Sequence, residues 1–322
     1  MTVRHARKRP TLLTSIGKNA VAAGIALLGL AVASQARADV NLPSSSGSSN
    51  LMFGGAAGPD QATGTMQHSV PLPLPRARGS WQPELSLAYS SASTDGEAGY
   101  GWGLAMPVIE RRPRSGPIGI ANTERFAYNG QPLAYVCTFG GSGGPGTCPA
   151  AEAMPSEATL PPGACRYFRL QRESLYARFF LCEGWSDAEW IVQLRSGVEL
   201  HFGEHTGSAP SWGGDRPVDL ANTPDNNAFR VARYQLSWAR DSFHNFVYYR
   251  WRKLGTRGLV YLTDIFDTEP VGPSGSSPVE TFAHHAQLDW EPVPFRTTSY
   301  GGTERRALDM RLTRVVELPH LS

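Results

Sequence analysis

Lysine is almost missing from this sequence: after Lys18 only Lys253 occurs, so arginine carries nearly all the positive charge of the body. Arginine suits carboxylate and phosphate recognition, but codon preference accounts for the bias more simply. Charge of either sign is sparse, at 18% of residues. The formal net of +2 comes from the first 38 residues, which hold Arg4, Arg7, Lys8, Arg9, Lys18 and Arg37 and no acid. Without them 24 basic residues face 28 acidic ones, a net of −4. A body of that charge lacks the basic footprint of a nucleic-acid binder. Beyond residue 40 no apolar run is long enough to cross a bilayer as a helix. Nor does any stretch keep a 3.6-residue apolar period over three capped turns, which excludes a helical bundle and a coiled coil.

Glycine and proline are abundant instead, 34 and 25 of 322 residues, and both weaken helices. Short strands joined by turns satisfy that composition. Glu84–Ser90 alternates Leu85, Leu87 and Tyr89 with small or polar residues, the period of a half-buried strand. Pro71, Pro73 and Pro75 just before it predict an extended segment outside any ladder. Tyr167–Phe180 is rich in aromatics. Trp190–Leu194 and Val198–Phe202 flank a Ser196-Gly197 turn, and Tyr234–Trp238 and Phe246–Trp251 flank the polar turn Asp241–Asn245. Both read as hairpins. Further strands are predicted at 258–265, 285–290 and 308–316. The expected fold is all-β, with antiparallel sheets forming a sandwich or an open, shell-like assembly and few or no helices.

Residues 1–38 read as a secretory signal peptide: a basic start, the apolar stretch Ala20–Ala33, and Ala36-Arg37-Ala38 as a cleavage pattern. An extracellular or periplasmic protein is expected. Residues 39–64, rich in Ser, Gly and Ala, read as a flexible leader, and 65–322 as one β-rich domain. In an oxidising compartment Cys137, Cys148, Cys165 and Cys182 suggest two disulfides. Three pairings are possible, and the local one, Cys137–Cys148 with Cys165–Cys182, is the expectation.

The block from Ser69-Val-Pro-Leu-Pro-Leu-Pro through Gly79, Pro83-Glu-Leu-Ser-Leu-Ala-Tyr-Ser-Ser91 and Gly99-Tyr-Gly-Trp-Gly-Leu104 to Ile109-Glu-Arg111 resembles one family. It is similar to the N-terminal domain of the virulence plasmid B protein (SpvB) family, shared with the B components of Tc insecticidal toxin complexes. Glu124–Leu133, Tyr167–Arg178, Trp190–Gly203, Asp241–Tyr249 and Leu288–Val315 resemble later family segments in order. His244 stands where the family pattern has glycine. The resemblance implies a noncatalytic β-rich scaffold that assembles with other toxin-complex or YD-repeat-type proteins, with no catalytic residue, metal or cofactor. The acidic Glu-x-Glu pair of the family's separate ADP-ribosyltransferase domain does not occur in this sequence.

Three motifs compete with that reading. His201-Phe-Gly-Glu204-His205 matches an inverted zinc-protease pattern, but a strand through His201 spreads the ligands along its axis instead of gathering them on one face. Gly140-Gly-Ser142-Gly-Gly144 fits a nucleophile elbow only formally, because a glycine-rich loop cannot hold Ser142 rigid. Gly99–Gly103 supplies tight turns beside a buried Trp102 and does not form a dinucleotide fingerprint. The 32 aromatic residues are expected to fill the core. The alternatives to a scaffold are a secreted carbohydrate- or surface-binding module and, less favoured, a zinc hydrolase on His201, Glu204 and His205.

Overall fold

The computed structural model describes residues 58–59, 64–93, 95–113, 124–139, 148, 165–183, 188–203, 213–222, 229–255, 259–270, 278–301 and 304–318. All belong to the compact unit Ser46–Ser322. The expected signal peptide, most of the expected leader, Ser142, Glu204 and His205 lie outside the described residues.

Strands dominate, as the glycine and proline content predicts. The first six form one antiparallel sheet: β1 (Gly58–Pro59), β2 (Met66–Leu72), β3 (Leu85–Ser90), β4 (Asp95–Gly96), β5 (Gly99–Tyr100) and β6 (Trp102–Ala105), in the order β1-β2-β3-β6-β5-β4. β1 falls within the stretch expected as leader. Pro71 corrects the sequence reading, since β2 stays paired with β3 through Pro71 opposite Ser86 and Leu72 opposite Leu85. β1 pairs β2 only at Met66 and Gln67, so among the described residues no strand faces Pro71 on that side and its missing N–H costs no ladder bond.

The other thirteen strands form a second antiparallel sheet, as the all-β expectation requires, and part of it closes into a barrel. β7 (Val108–Pro113), β8 (Glu124–Tyr128), β9 (Gln131–Phe139), β10 (Cys165–Leu170), β11 (Arg178–Glu183), β12 (Ala188–Gln193) and β13 (Glu199–Phe202) pair each with the next. The aromatic stretch Tyr167–Phe180 is therefore two strands, β10 and β11, parted at Gln171–Ala177. β15 (Phe229–Arg240) closes the ring. Its residues Arg233–Gln235 pair with β7, and Leu236–Arg240 pair with β13. On the β13 side it also pairs β14 (Val218–Asn222): the Gln235 N–H donates to Pro217 O at 2.9 Å while the Gln235 carbonyl accepts from Gly203 N–H at 3.0 Å. The opposite edge carries β7 and then β16 (Phe246–Arg252), from which β17 (Tyr261–Asp267), β18 (His284–Gly301) and β19 (Glu304–Leu318) continue the sheet as an arm. One turn of 3-10 helix, Val279–Thr281, precedes β18.

Both predicted hairpins are present, β12–β13 and β15–β16. Eight strands give a barrel just wide enough for side chains to fill. Phe168 and Leu170, Phe179 and Leu181, Trp190 and Val192, and Leu200 and Phe202 point inward at every second position and share one buried core. Trp190 sits edge-on to Phe126, with ring centroids 4.8 Å apart. The intervening residues Tyr167, Phe180 and Ile191 are buried on the outer face with the cysteines. Burial on both faces explains the near-continuous apolar runs of β10–β12.

Candidate interaction surface

The most family-like block performs a structural task. Its turn at Arg76–Gln82 is laid over the β15–β16 turn. Gly79 has φ +101°, open to glycine and rarely to other residues, and packs against Asp241 and Asn245. The Asp241 carboxylate accepts backbone N–H bonds from Ser80 at 2.8 Å and from Phe243 and Asn245 at 2.9 Å each. Burial pushes the Asp241 carboxyl up, but the bonds from Asn245, Ser80 and Phe243 outweigh it and hold it below the usual range. Arg78 N–H donates to Thr268 Oγ1 at 3.0 Å, and Trp81 Nε1 to the Tyr249 hydroxyl at 3.1 Å. His244, in place of the family's glycine, keeps a glycine-like φ of 60°.

A cavity of about 740 Å³ separates the six-stranded sheet from the barrel and its arm. Tyr89, Glu97 and Trp102 line it from the first sheet, and Glu110, Asp219, Arg233, Tyr261 and Trp290 from the second. Trp102, expected to be buried, is half-buried because the cavity takes up one side of it. Arg233 is the charge centre: its Nη2 lies 2.8 Å from Glu110 Oε1, and Arg112 Nη2 lies 3.2 Å from Glu110 Oε2. Burial pulls the Arg233 guanidinium down, and the carboxylates of Glu110, Asp219 and Glu97 more than reverse this. Asp219 also accepts from Gln235 Nε2 at 3.1 Å and from Val260 N–H at 3.0 Å. Glu97 Oε2 accepts from Leu104 N–H at 3.0 Å. Sequence reading passed over this cluster, since an arginine alternating along a strand looks like a solvated face.

The cysteines pair as the local scheme expects, Cys137 with Cys148 and Cys165 with Cys182. Cys165 and Cys182 stand directly opposite one another on β10 and β11. His201 is buried on β13, its ring stacked 3.5 Å from that of Trp238, and its Nε2 is 4.0 Å from Glu199 Oε2. Glu199 binds Arg240 Nη2 at 2.5 Å and Gln193 Nε2 at 2.8 Å. Burial pushes its carboxyl up, yet the bonds from His201, Gln193 and Arg240 bring it down to about 2. His284 and His285 serve separate aspartates, Asp267 at 2.6 Å and Asp264 at 2.7 Å. No group of three or more metal-ligating side chains occurs among the described residues.

Tyr176 and Phe243 are 67% and 75% exposed, in the turns that follow β10 and β15. β19 pairs with β18 along one edge, from His285–Leu318 to Gly301–Glu304, and no described strand pairs with its other edge.

Residues 60–128 match the family model of the Salmonella virulence plasmid 65kDa B protein, SpvB. This chain has the fold of the SpvB N-terminal domain. The matched residues run from before β2 through β8, the part that forms the first sheet, the Gly79 turn and the start of the barrel. Mono(ADP-ribosyl)transferase SpvB of Salmonella typhimurium is 29% identical over 157 residues, covering 48% of this chain and 25% of that protein. The protein of the same name from Salmonella dublin aligns equally. The match thus spans about a quarter of these relatives. Among solved structures, the N-terminal domain of effector protein SpvB from Salmonella typhimurium superposes with a TM-score of 0.52 at 16% identity, covering 78% of this chain and 88% of that one. A TcdB2-TccC3 crystal structure gives 0.62 at 18% identity over 87% of this chain and 14% of that one. The Photorhabdus luminescens Tc holotoxin pore gives 0.57 at 17% identity over 82% of this chain and 13% of that one. At these identities the likeness is one of fold. Among the described residues no helix is long and apolar enough to cross a membrane.

Proposed function

We propose that this chain is an exported, noncatalytic scaffold module of a toxin or virulence assembly, binding other toxin-complex or YD-repeat-type proteins. The reading rests chiefly on the 15-residue strand β19, whose second edge pairs with no strand among the described residues and is touched there by the Leu312 N–H bond to Glu97 O at 2.8 Å. A long strand edge with no neighbouring strand is a template for strand addition by another polypeptide. The fold shared with SpvB and with the TcdB2-TccC3 assembly supports the same direction. The buried ionic clusters support it too, since Glu199, Asp241, Asp264 and Asp267 are each engaged in holding turns or strands together. The two disulfides and the sequence pattern of residues 1–38 support export.

Size exclusion with light scattering tests it. Mixed with a YD-repeat-type toxin component, the chain is expected to elute as a stable complex. A chain that stays monomeric against every such component, or that turns over a substrate with a dependence on one side chain, overturns the proposal.

A further inference from the structure

We propose that the cavity between the six-stranded sheet and the barrel is a binding site for a neutral saccharide. The volume of about 740 Å³ lies within the range of small-molecule sites, about 300–1,000 Å³, and leaves room for a short oligosaccharide. Each wall carries a half-buried indole. Trp102 on β6 lies against Tyr89, ring centroids 5.2 Å apart. Trp290 on β18 is fixed by its Nε1 donating to Leu262 O at 2.8 Å and by Tyr261 at 4.8 Å. Flat aromatic faces carry negative charge density and suit the C–H face of a pyranose.

The polar lining selects the class of ligand. Glu97, Glu110 and Asp219 face Arg112 and Arg233, so the wall carries one negative charge in excess. An anionic ligand meets that excess. A cation finds the carboxylates already held by the arginines, by Leu104 N–H and by Val260 N–H. A wholly apolar ligand would strip water from five charged groups with no return. A neutral ring with one apolar face and a rim of hydroxyls avoids all three penalties, since hydroxyls donate to carboxylates and accept from guanidinium groups. The assignment does not rest on the scaffold reading.

A glycan array probed with the purified chain, followed by calorimetric titration of the best neutral oligosaccharide, tests the assignment. Binding is expected at millimolar or tighter dissociation constants, with quenching of tryptophan fluorescence. Trp102→Ala is expected to weaken it at least tenfold. Ala92→Trp, at an exposed turn on the cavity rim, is expected to do the same by obstruction, and it decides the question should Trp102→Ala fail to fold. Phe243→Ala, whose side chain is no part of the cavity lining, should leave the affinity unchanged. Absence of any neutral ligand, preference for acidic glycans, or unaltered binding by Ala92→Trp overturns the proposal.

Discussion

The backbone N–H of Ser80 donates to Asp241 Oδ2 at 2.8 Å across 161 positions of sequence. The bond ties the loop between β2 and β3 to the turn that joins β15 and β16. Only a residue without a side chain fits beside it, because a Cβ on Gly79 would overlap Asp241 and lie 2.7 Å from Asn245 Nδ2.

Gly79→Ala should therefore lose about 2–4 kcal/mol, combining an unfavourable positive φ with broken hydrogen bonds to a buried carboxylate. Gly197→Ala is the comparison: its φ is +83°, but the new Cβ would sit 3.5 Å from Ser242 Cβ, so only about 1 kcal/mol is expected. Urea denaturation of both variants measures the difference. Equal losses would show that the contact with Asp241 is unimportant.

His244→Gly is expected to stabilise the chain by a few tenths to about 1 kcal/mol. The φ of 60° favours glycine, and relief of that strain exceeds the added freedom of the unfolded chain. A lower denaturation midpoint would instead assign the imidazole a compensating contact.

Acid should weaken the fold through Glu199 and Asp241, whose folded carboxyls titrate below their ordinary values, Glu199 at about 2. Unfolded carboxylates take up protons near pH 4. The stabilisation is complete above that point and falls as pH drops toward the folded values. Glu199→Gln should lower stability at pH 7 and flatten its decline between about pH 4 and 2. A variant with the wild-type slope would count against this.

Reduction, or joint replacement of Cys165 and Cys182 by alanine, should cost roughly 3 kcal/mol, because the crosslink restrains a loop with a sequence separation of 17 in the unfolded chain. Intact mass before and after reduction checks the pairing. Melting temperature checks the loss.

Trp190→Ala should cost about 3–5 kcal/mol by opening a void in the barrel interior, where Phe126, Phe168 and Tyr234 surround the ring. Calorimetric melting measures it. A loss under about 1 kcal/mol would mean that the barrel collapses around the gap.

Local order was legible in the sequence. Alternation around a glycine turn located β12 and β13, and Gly197 does adopt the positive φ that the turn needs. Closeness in sequence predicted the disulfide pairing that the folded chain has. Barrel closure was not legible, because Ile109 meets Tyr234 through a pairing that leaves no trace in either local pattern. Trp102 was misjudged for a related reason: whether an indole faces core or cavity depends on a sheet far along the chain. Arg233 was missed because an isolated arginine in a strand carries no sign of the three carboxylates that converge on it.

β15 is held by four other strands, two on each edge. It is the keystone of assembly order, since no ring exists until it arrives and no arm has anything to grow from. A chain that ends before Phe229 leaves β7 and β13 without the strand that joins them, two raw seams on one half-built wall.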